Sequence, residues 1–222
     1  PSQFQVEGDA SSATYPLALA AITGGTITID NVGSESLQGD SKFYTVLEAM
    51  GCKVSQTATT TTVQGPDWRK GEKLNAVDMD MDAMTDTFMT LAAVAVFAEG
   101  TTRITNIANQ RVKECNRIAV MVSELSKLGI EVRESETGLD IVGLGLTPDC
   151  LQRVQSHIAS TSHEAVVIEC HDDHRIAMSF ALIGTRLRGI ILDEKRCVDK
   201  TYPEFWEHLG QKFGVQVYPP KE

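Results

Sequence analysis

The sequence predicts an α/β fold in which one domain, residues 1–222, is built from three repeated units with apolar helices at its centre. Two observations carry this expectation. One phrase recurs three times along the chain, and its helical segments alternate between nearly all-apolar and one-sided. The phrase holds an aspartate, a run of small and apolar residues, a glycine leading into β-branched residues, a second amphipathic segment, and a closing glycine before a valine. The aspartates are Asp9, Asp86 and Asp173, the inner glycines Gly25, Gly100 and Gly189, and the closing glycines Gly51, Gly129 and Gly214. Aspartate-to-glycine spacings of 16, 14 and 16 set the units at about 9–65, 86–145 and 173–218.

Each phrase reads as helix, strand, helix, strand. An aspartate caps a helix N-terminus, and the inner glycine ends that helix. In the first unit Tyr15 to Ile22 is helical, Thr26 to Ile29 extended, and Phe43 to Met50 a helix with one apolar stripe, to be laid against a sheet. In the second, Thr90 to Ala98 has almost no polar face and belongs in the interior, Thr101 to Ile104 is a strand, and Ile118 to Leu128 is striped. In the third, Ile176 to Ile183 and Ile190 to Leu192 repeat the pattern, and Val217 opens the closing strand. Further strands fall at Thr57 to Val63 and Gly138 to Val142, each after a turn. The polar stretch Thr147 to His163 reads as a looser connection.

Composition narrows the function. With 42% hydrophobic and 23% charged residues the chain is globular, and its formal charge of −10 argues against nucleic acid or anionic lipid as a partner. The longest apolar run, Leu91 to Ala98, falls well short of the roughly 18 residues of a membrane span. No signal pattern opens the chain, so a cytoplasmic protein is expected. Five well-separated cysteines (Cys52, Cys115, Cys150, Cys170 and Cys197) form neither a zinc knuckle nor a redox pair and read as reduced thiols.

If the three capped helices aim their N-termini at one region, their dipoles and free N–H groups favour a phosphate or carboxylate there. Basic residues cluster around these starts: Arg111, Lys113 and Arg117 after the second unit's strand, His174 and Arg175 after Asp173, and Lys200 beyond the third strand. Lys113 and Arg117, four apart, would share a helical face, with Glu114 offsetting their repulsion; the same string also fits a solvated helix face. Asp86 fits a helix cap and equally a base for a substrate hydroxyl. Asn109 fits a turn residue or a hydroxyl donor. His171 to His174 holds metal-ligand types, but Arg175 beside them favours an anion, so no metal and no cofactor are expected.

The strings EGDASSATY, NAVDMDMDAMTD, IANQRVKECNR, DDHRIAMSF and CVDKTYPEFW resemble the C-terminal half of the 5-enolpyruvylshikimate-3-phosphate (EPSP) synthases, and IANQRVKECNR is most similar to the form of that domain in fungal pentafunctional AROM polypeptides. The resemblance implies transfer of the enolpyruvyl group of phosphoenolpyruvate to the 5-hydroxyl of shikimate 3-phosphate, without metal or cofactor. It implies that Asp86 takes the hydroxyl proton, that Asp86, Asn109 and Lys113 hold shikimate 3-phosphate, and that Glu114 is a proton-transfer candidate at the methylene carbon. Arg117, Arg175 and Lys200 would neutralise phosphoenolpyruvate, with His174, a further catalytic candidate, beside them. The implied fold is a domain of three βαβαββ units about a pseudo-threefold axis, with helices central and sheets outside.

Members of that family are about twice this length, and neither their N-terminal lysine–serine segment nor their L-x-x-G-N-A-G-T loop occurs here. The chain is therefore expected to be one half of a clamshell, partnered by the missing half and by other domains of a multifunctional polypeptide, and inactive alone. A non-catalytic anion-binding module, an enolpyruvyl transferase acting on a UDP-amino sugar, and an RNA 3′-phosphate cyclase are the alternatives; the last two fit the Asn109 to Arg117 string less well.

Overall fold

The structure, a computed structural model, describes residues 6–161 and 165–217. The elements run α1 (Ala10–Thr23), β1 (Thr26–Asp30), α2 (Phe43–Ala49), β2 (Lys53–Gln56), β3 (Thr60–Gln64), β4 (Leu74–Asn75), β5 (Asp78–Asp80), α3 (Phe88–Ala95), β6 (Ala98–Thr105), α4 (Arg117–Lys127), β7 (Val132–Glu134), β8 (Leu139–Leu144), α5 (Pro148–Thr161), β9 (Val166–Ile168), α6 (His174–Gly184), β10 (Ile190–Leu192) and α7 (Phe205–Glu207). The result is α/β with mixed sheets. β1, β3 and β2 form an antiparallel sheet in that order, with Thr26 opposite Gln64 and Lys53 opposite the same residue. In the largest sheet the order is β4, β6, β8, β7; β4 and β5 lie parallel to β6, whereas β8 is antiparallel to both its neighbours. β9 and β10 are a parallel pair.

Helix character decides position. α1, α3 and α6 pack on one another, and all eight residues of α3 are buried, as a helix with no polar face requires. A hydrogen bond of 2.9 Å between the hydroxyls of Thr14 and Thr90 ties α1 to α3 inside this core. The striped helices cover sheets instead: α2 sets Phe43, Val46 and Leu47 against β2 and β3, and α4 lies on β7 with Ile118, Met121 and Leu125 buried. The end of β3 passes so close to α1 that a Cβ on Gly65 would stand 2.1 Å from the Ala20 carbonyl oxygen.

Several expectations change. Gly24, in the left-handed region at φ 75°, ends α1 rather than Gly25. Gly100, at φ 101°, lies within β6 and ends no helix, because the strand begins two residues earlier at Ala98. α6 stops at Gly184, before Gly189. The stretch from Thr147, expected to be loose, is the amphipathic helix α5, seated through the buried Val154 and Ile158; its polar outer face masks the stripe. His163, the far end of that stretch, lies outside the described residues, as does residue 218. Gly214 to Val217 form no strand, and the second amphipathic segment of the third unit is reduced to α7 and one π-helical turn. Among the described residues no helix is long and apolar enough to cross a membrane.

Candidate active site

Three buried-helix starts and the start of α4 meet at one end of the core. Asp9 caps α1 by accepting from the backbone N–H groups of Ser11 and Ser12. Asp173 caps α6 through the Arg175 N–H at 2.9 Å. Asp86 departs from the pattern. Thr87 holds the cap position of α3 without capping it through its side chain, whose hydroxyl donates back to the Met84 carbonyl at 2.9 Å, at the kink that turns the preceding 3₁₀ segment. The Asp86 carboxylate is thereby freed for ion pairs: it accepts from Arg175 Nη2 at 3.1 Å and from Gln110 Nε2 at 2.8 Å, and lies 3.5 Å from Arg117 Nη1.

Among the described residues Arg117 is the largest fully buried side chain, 1% exposed, which overturns the solvated-face reading for this residue. Its fork is fully used. Nε donates to Asp173 at 2.7 Å, Nη1 to Gln110 Oε1 at 2.8 Å, and Nη2 to Glu114 at 2.6 Å. Lys113 does not share its helical face: α4 begins at Arg117, and Lys113 is non-helical and exposed in the loop before it. A rigid planar fork suits a site that must satisfy three acceptors at once, and a flexible ammonium does not.

Around Asp86 and Arg117 the remaining residues range from exposed to buried. Glu114 Oε1 is 3.8 Å from His174 Nδ1 and 4.0 Å from Lys200 Nζ. Lys200 is half exposed. His174 is buried, and its Nδ1 makes no hydrogen bond. Asn109, exposed, donates to the Thr85 hydroxyl at 3.1 Å, and Gln110 donates to the same oxygen at 3.0 Å, which clamps the Ala108–Val112 turn onto the segment that carries Asp86. At the α1 side the Ser11 hydroxyl bonds the Asp40 carboxylate. The structure thus brings Asp86, Asn109, Lys113, Glu114, Arg117, His174, Arg175 and Lys200 to one end of the domain.

The electrostatics follow from these contacts. Burial pushes the Asp86 carboxyl up, but Arg175, the Gln110 hydrogen bond, Arg117 and Lys113 outweigh it and hold the group below the usual carboxylate value. Asp173 is likewise held down against its burial by Arg117 and by the Arg175 N–H. Arg175 resists burial because Tyr15, Asp86, Asp40 and Asp9 surround it, and the buried Tyr15 hydroxyl is pushed up to about 12. His174 is lowered by burial and by Arg175. Asp40 is raised, chiefly by burial.

A pH dependence follows. A histidine depressed in the fold takes its proton in the unfolded chain first, so stability falls as pH drops below the unfolded value of about 6.5 towards the folded one. Asp86 and Asp173, depressed below about 3.9, contribute stability above that value and lose it as pH falls through their folded values, while Asp40 opposes them. Urea midpoints should decline from pH 7 to pH 5 and more steeply below pH 4, and His174→Gln should remove the first decline. Unchanged midpoints in both proteins from pH 7 to 5 would contradict this assignment.

Sequence reading missed Gln110, Thr85, Asp40 and Tyr15. Gln110 lies inside the quoted string at 107–117, yet an amide among charges gives no sign of burial; only the tertiary contact does. Among the described residues no three His, Cys, Asp or Glu side chains are grouped as metal ligands.

Comparison with known proteins adds the family. The family described as EPSP synthase (3-phosphoshikimate 1-carboxyvinyltransferase) matches residues 1–209. The chain is 48% identical over 231 residues to the pentafunctional AROM polypeptide of Mycosarcoma maydis, and 48% identical over 219 residues to that of Yarrowia lipolytica (strain CLIB 122 / E 150). Each match covers 98% of this chain but 13% of the relative, so the chain spans about an eighth of those proteins. Two structures of EPSP synthase from Acinetobacter baumannii match with TM-scores of 0.78 and 0.76 at 29% and 27% identity, over 98% of this chain and 48% of each of theirs.

Proposed function

The chain belongs to the EPSP synthase family, and we propose that it forms one wall of an enolpyruvyl-transfer site for shikimate 3-phosphate and phosphoenolpyruvate. The observation that carries the reading is Asp86: an ionised, half-buried carboxylate fixed by Arg175 and Gln110 at the end of the domain where helix N-termini and four cations gather.

In this reading the methylene carbon of phosphoenolpyruvate takes a proton, for which Glu114 is the candidate donor. The 5-hydroxyl oxygen then bonds the neighbouring carbon while its proton passes to Asp86. Loss of phosphate, with return of a methyl proton, leaves the enol ether and inorganic phosphate. Arg175 and Lys200 balance the carboxylate and phosphate charge, and His174 lies beside them. Arg117 can join them only by giving up a contact to Glu114, Gln110 or Asp173, so from the observed position it acts through its charge. Asn109 and Lys113, both exposed, hold the shikimate phosphate and hydroxyls.

The same reading takes the fold as three βαβαββ units about a pseudo-threefold axis. The order β5, α3, β6, α4, β7, β8 supports it in the second unit, and parallel β9 and β10 flanking α6 support it in the third. The opposite wall belongs to a complementary half, and other domains of a multifunctional polypeptide are further expected partners. NMR titration of these 222 residues tests the site directly. Shikimate 3-phosphate should shift amides at 109–117 and 173–175 at millimolar concentration. Shifts confined to other surfaces would refute the reading.

A further inference from the structure

We infer that Gln110 is a positioning residue for the reaction: its side-chain amide aligns the Asp86 carboxylate by tying it to the buried guanidinium of Arg117. The inference rests on the reading of Asp86 as the base and extends it to a residue outside the charged set.

Gln110 is fully buried, at 0% exposure, in the turn Ala108–Val112. Both amide protons and the amide oxygen have a defined partner. Oε1 accepts from Arg117 Nη1 at 2.8 Å, and Nε2 donates to Asp86 Oδ1 at 2.8 Å and to the Thr85 hydroxyl at 3.0 Å. Only this amide orientation is possible, because a guanidinium cannot accept and an ionised carboxylate cannot donate. The amide therefore relays between the two charges with a fixed direction.

Geometry explains why a neutral relay is needed. Arg117 Nη1 stands 3.5 Å from Asp86 Oδ1, too far for a strong charge-assisted bond. Arg175 holds the other oxygen, Oδ2, and so fixes one end of the carboxylate only. Gln110 fixes Oδ1, and with both ends held the plane of the carboxylate is set before substrate arrives. A base misplaced by about 1 Å loses on the order of 100-fold in rate, so orientation of this kind acts on kcat and leaves ground-state binding of the anions to the cations. Leu or Met would fill the same volume but leave Arg117 Nη1 and Asp86 Oδ1 each without its partner.

The test uses Gln110→Met, and Gln110→Glu as a second variant that keeps an acceptor for Arg117 and removes the donors to Asp86 and Thr85. Turnover is measured with the complementary half of a family enzyme supplied, and the Asp86 carboxyl is followed by ¹³C NMR in the 222 residues alone. Expected results are a roughly 10- to 100-fold fall in kcat with KM for both substrates within threefold, and a rise of about one pH unit in the Asp86 midpoint of the Met variant. A purely structural role would lower the unfolding midpoint while leaving both kcat and the Asp86 titration unchanged. Either a kcat within twofold of the unaltered protein in both variants, or an unmoved Asp86 midpoint, overturns the inference. The NMR arm needs no turnover. If the unaltered pair of halves is inactive, the functional reading fails separately, and the Asp86 titration still decides whether Gln110 orients it.

Discussion

Arg117→Met is expected to lower the stability of the domain by about 3–5 kcal/mol, because it removes the cation from a buried network and leaves Asp173 charged with no counter-ion. Asp173 is 0% exposed and receives two Arg117 contacts, from Nε at 2.7 Å and Nη2 at 3.4 Å. A loss of that size is a large fraction of the 5–15 kcal/mol typical of a whole domain. Methionine fills most of the volume, so the loss reports charge rather than a cavity. Asp173→Asn in the same chain keeps an oxygen for the Arg175 N–H and removes the stranded charge, so the double variant should regain part of the loss. Urea unfolding at pH 7 checks both. A single variant destabilised by less than about 1 kcal/mol, or a double variant less stable than the single, would show that the ion pair is not what holds α4 to α6.

How legible this was in the sequence varies by element, for physical reasons. α1, α3 and α6 were readable because a helix apolar on every side has one place to go, and the stripes of α2 and α4 marked them as helices laid against a sheet. α5 was not, since its stripe consists of two well-buried positions, Val154 and Ile158, within a polar segment. Glycine misled at 25 and 100: one residue separates a helix cap from its neighbour, and a glycine of positive φ serves a strand as well as a turn. At the site, the charged residues could be listed from the string at 107–117 and the Asp-His-Arg segment, but their geometry could not. Spacing of four suggested that Lys113 and Arg117 share a face; the helix instead starts at Arg117, which sends one inward and leaves the other in water. Burial of Arg117 depends on Asp173, 56 positions away, and no local pattern carries that information.

Asp86→Asn is expected to abolish turnover while leaving substrate binding intact or tighter. Alone, the 222 residues should release no phosphate from phosphoenolpyruvate and shikimate 3-phosphate: half of the expected cation shell is absent, and an open site lets water weaken each remaining contact. One missing transition-state donor typically costs about 2.7–4 kcal/mol, and several are missing. Supplying the complementary half in trans should restore phosphate release, and the variant is then read against that recovered rate. Asparagine keeps one side-chain oxygen, which can accept from Arg175 Nη2 or from Gln110 Nε2 but not from both, and its amide cannot take the hydroxyl proton. Loss of general-base action costs roughly 10²- to 10⁴-fold in kcat. The binding effect runs the other way. Removing one negative charge from beside Arg175, Arg117 and Lys113 makes the mouth more attractive to anions, so KM should stay level or fall. That split separates a base from a binding group, since loss of a binding contact raises KM. Phosphate release by the unaltered 222 residues alone at a rate near that of the joined halves would overturn the half-site reading, and an Asp86→Asn variant with raised KM and unchanged kcat would remove Asp86 from the chemistry.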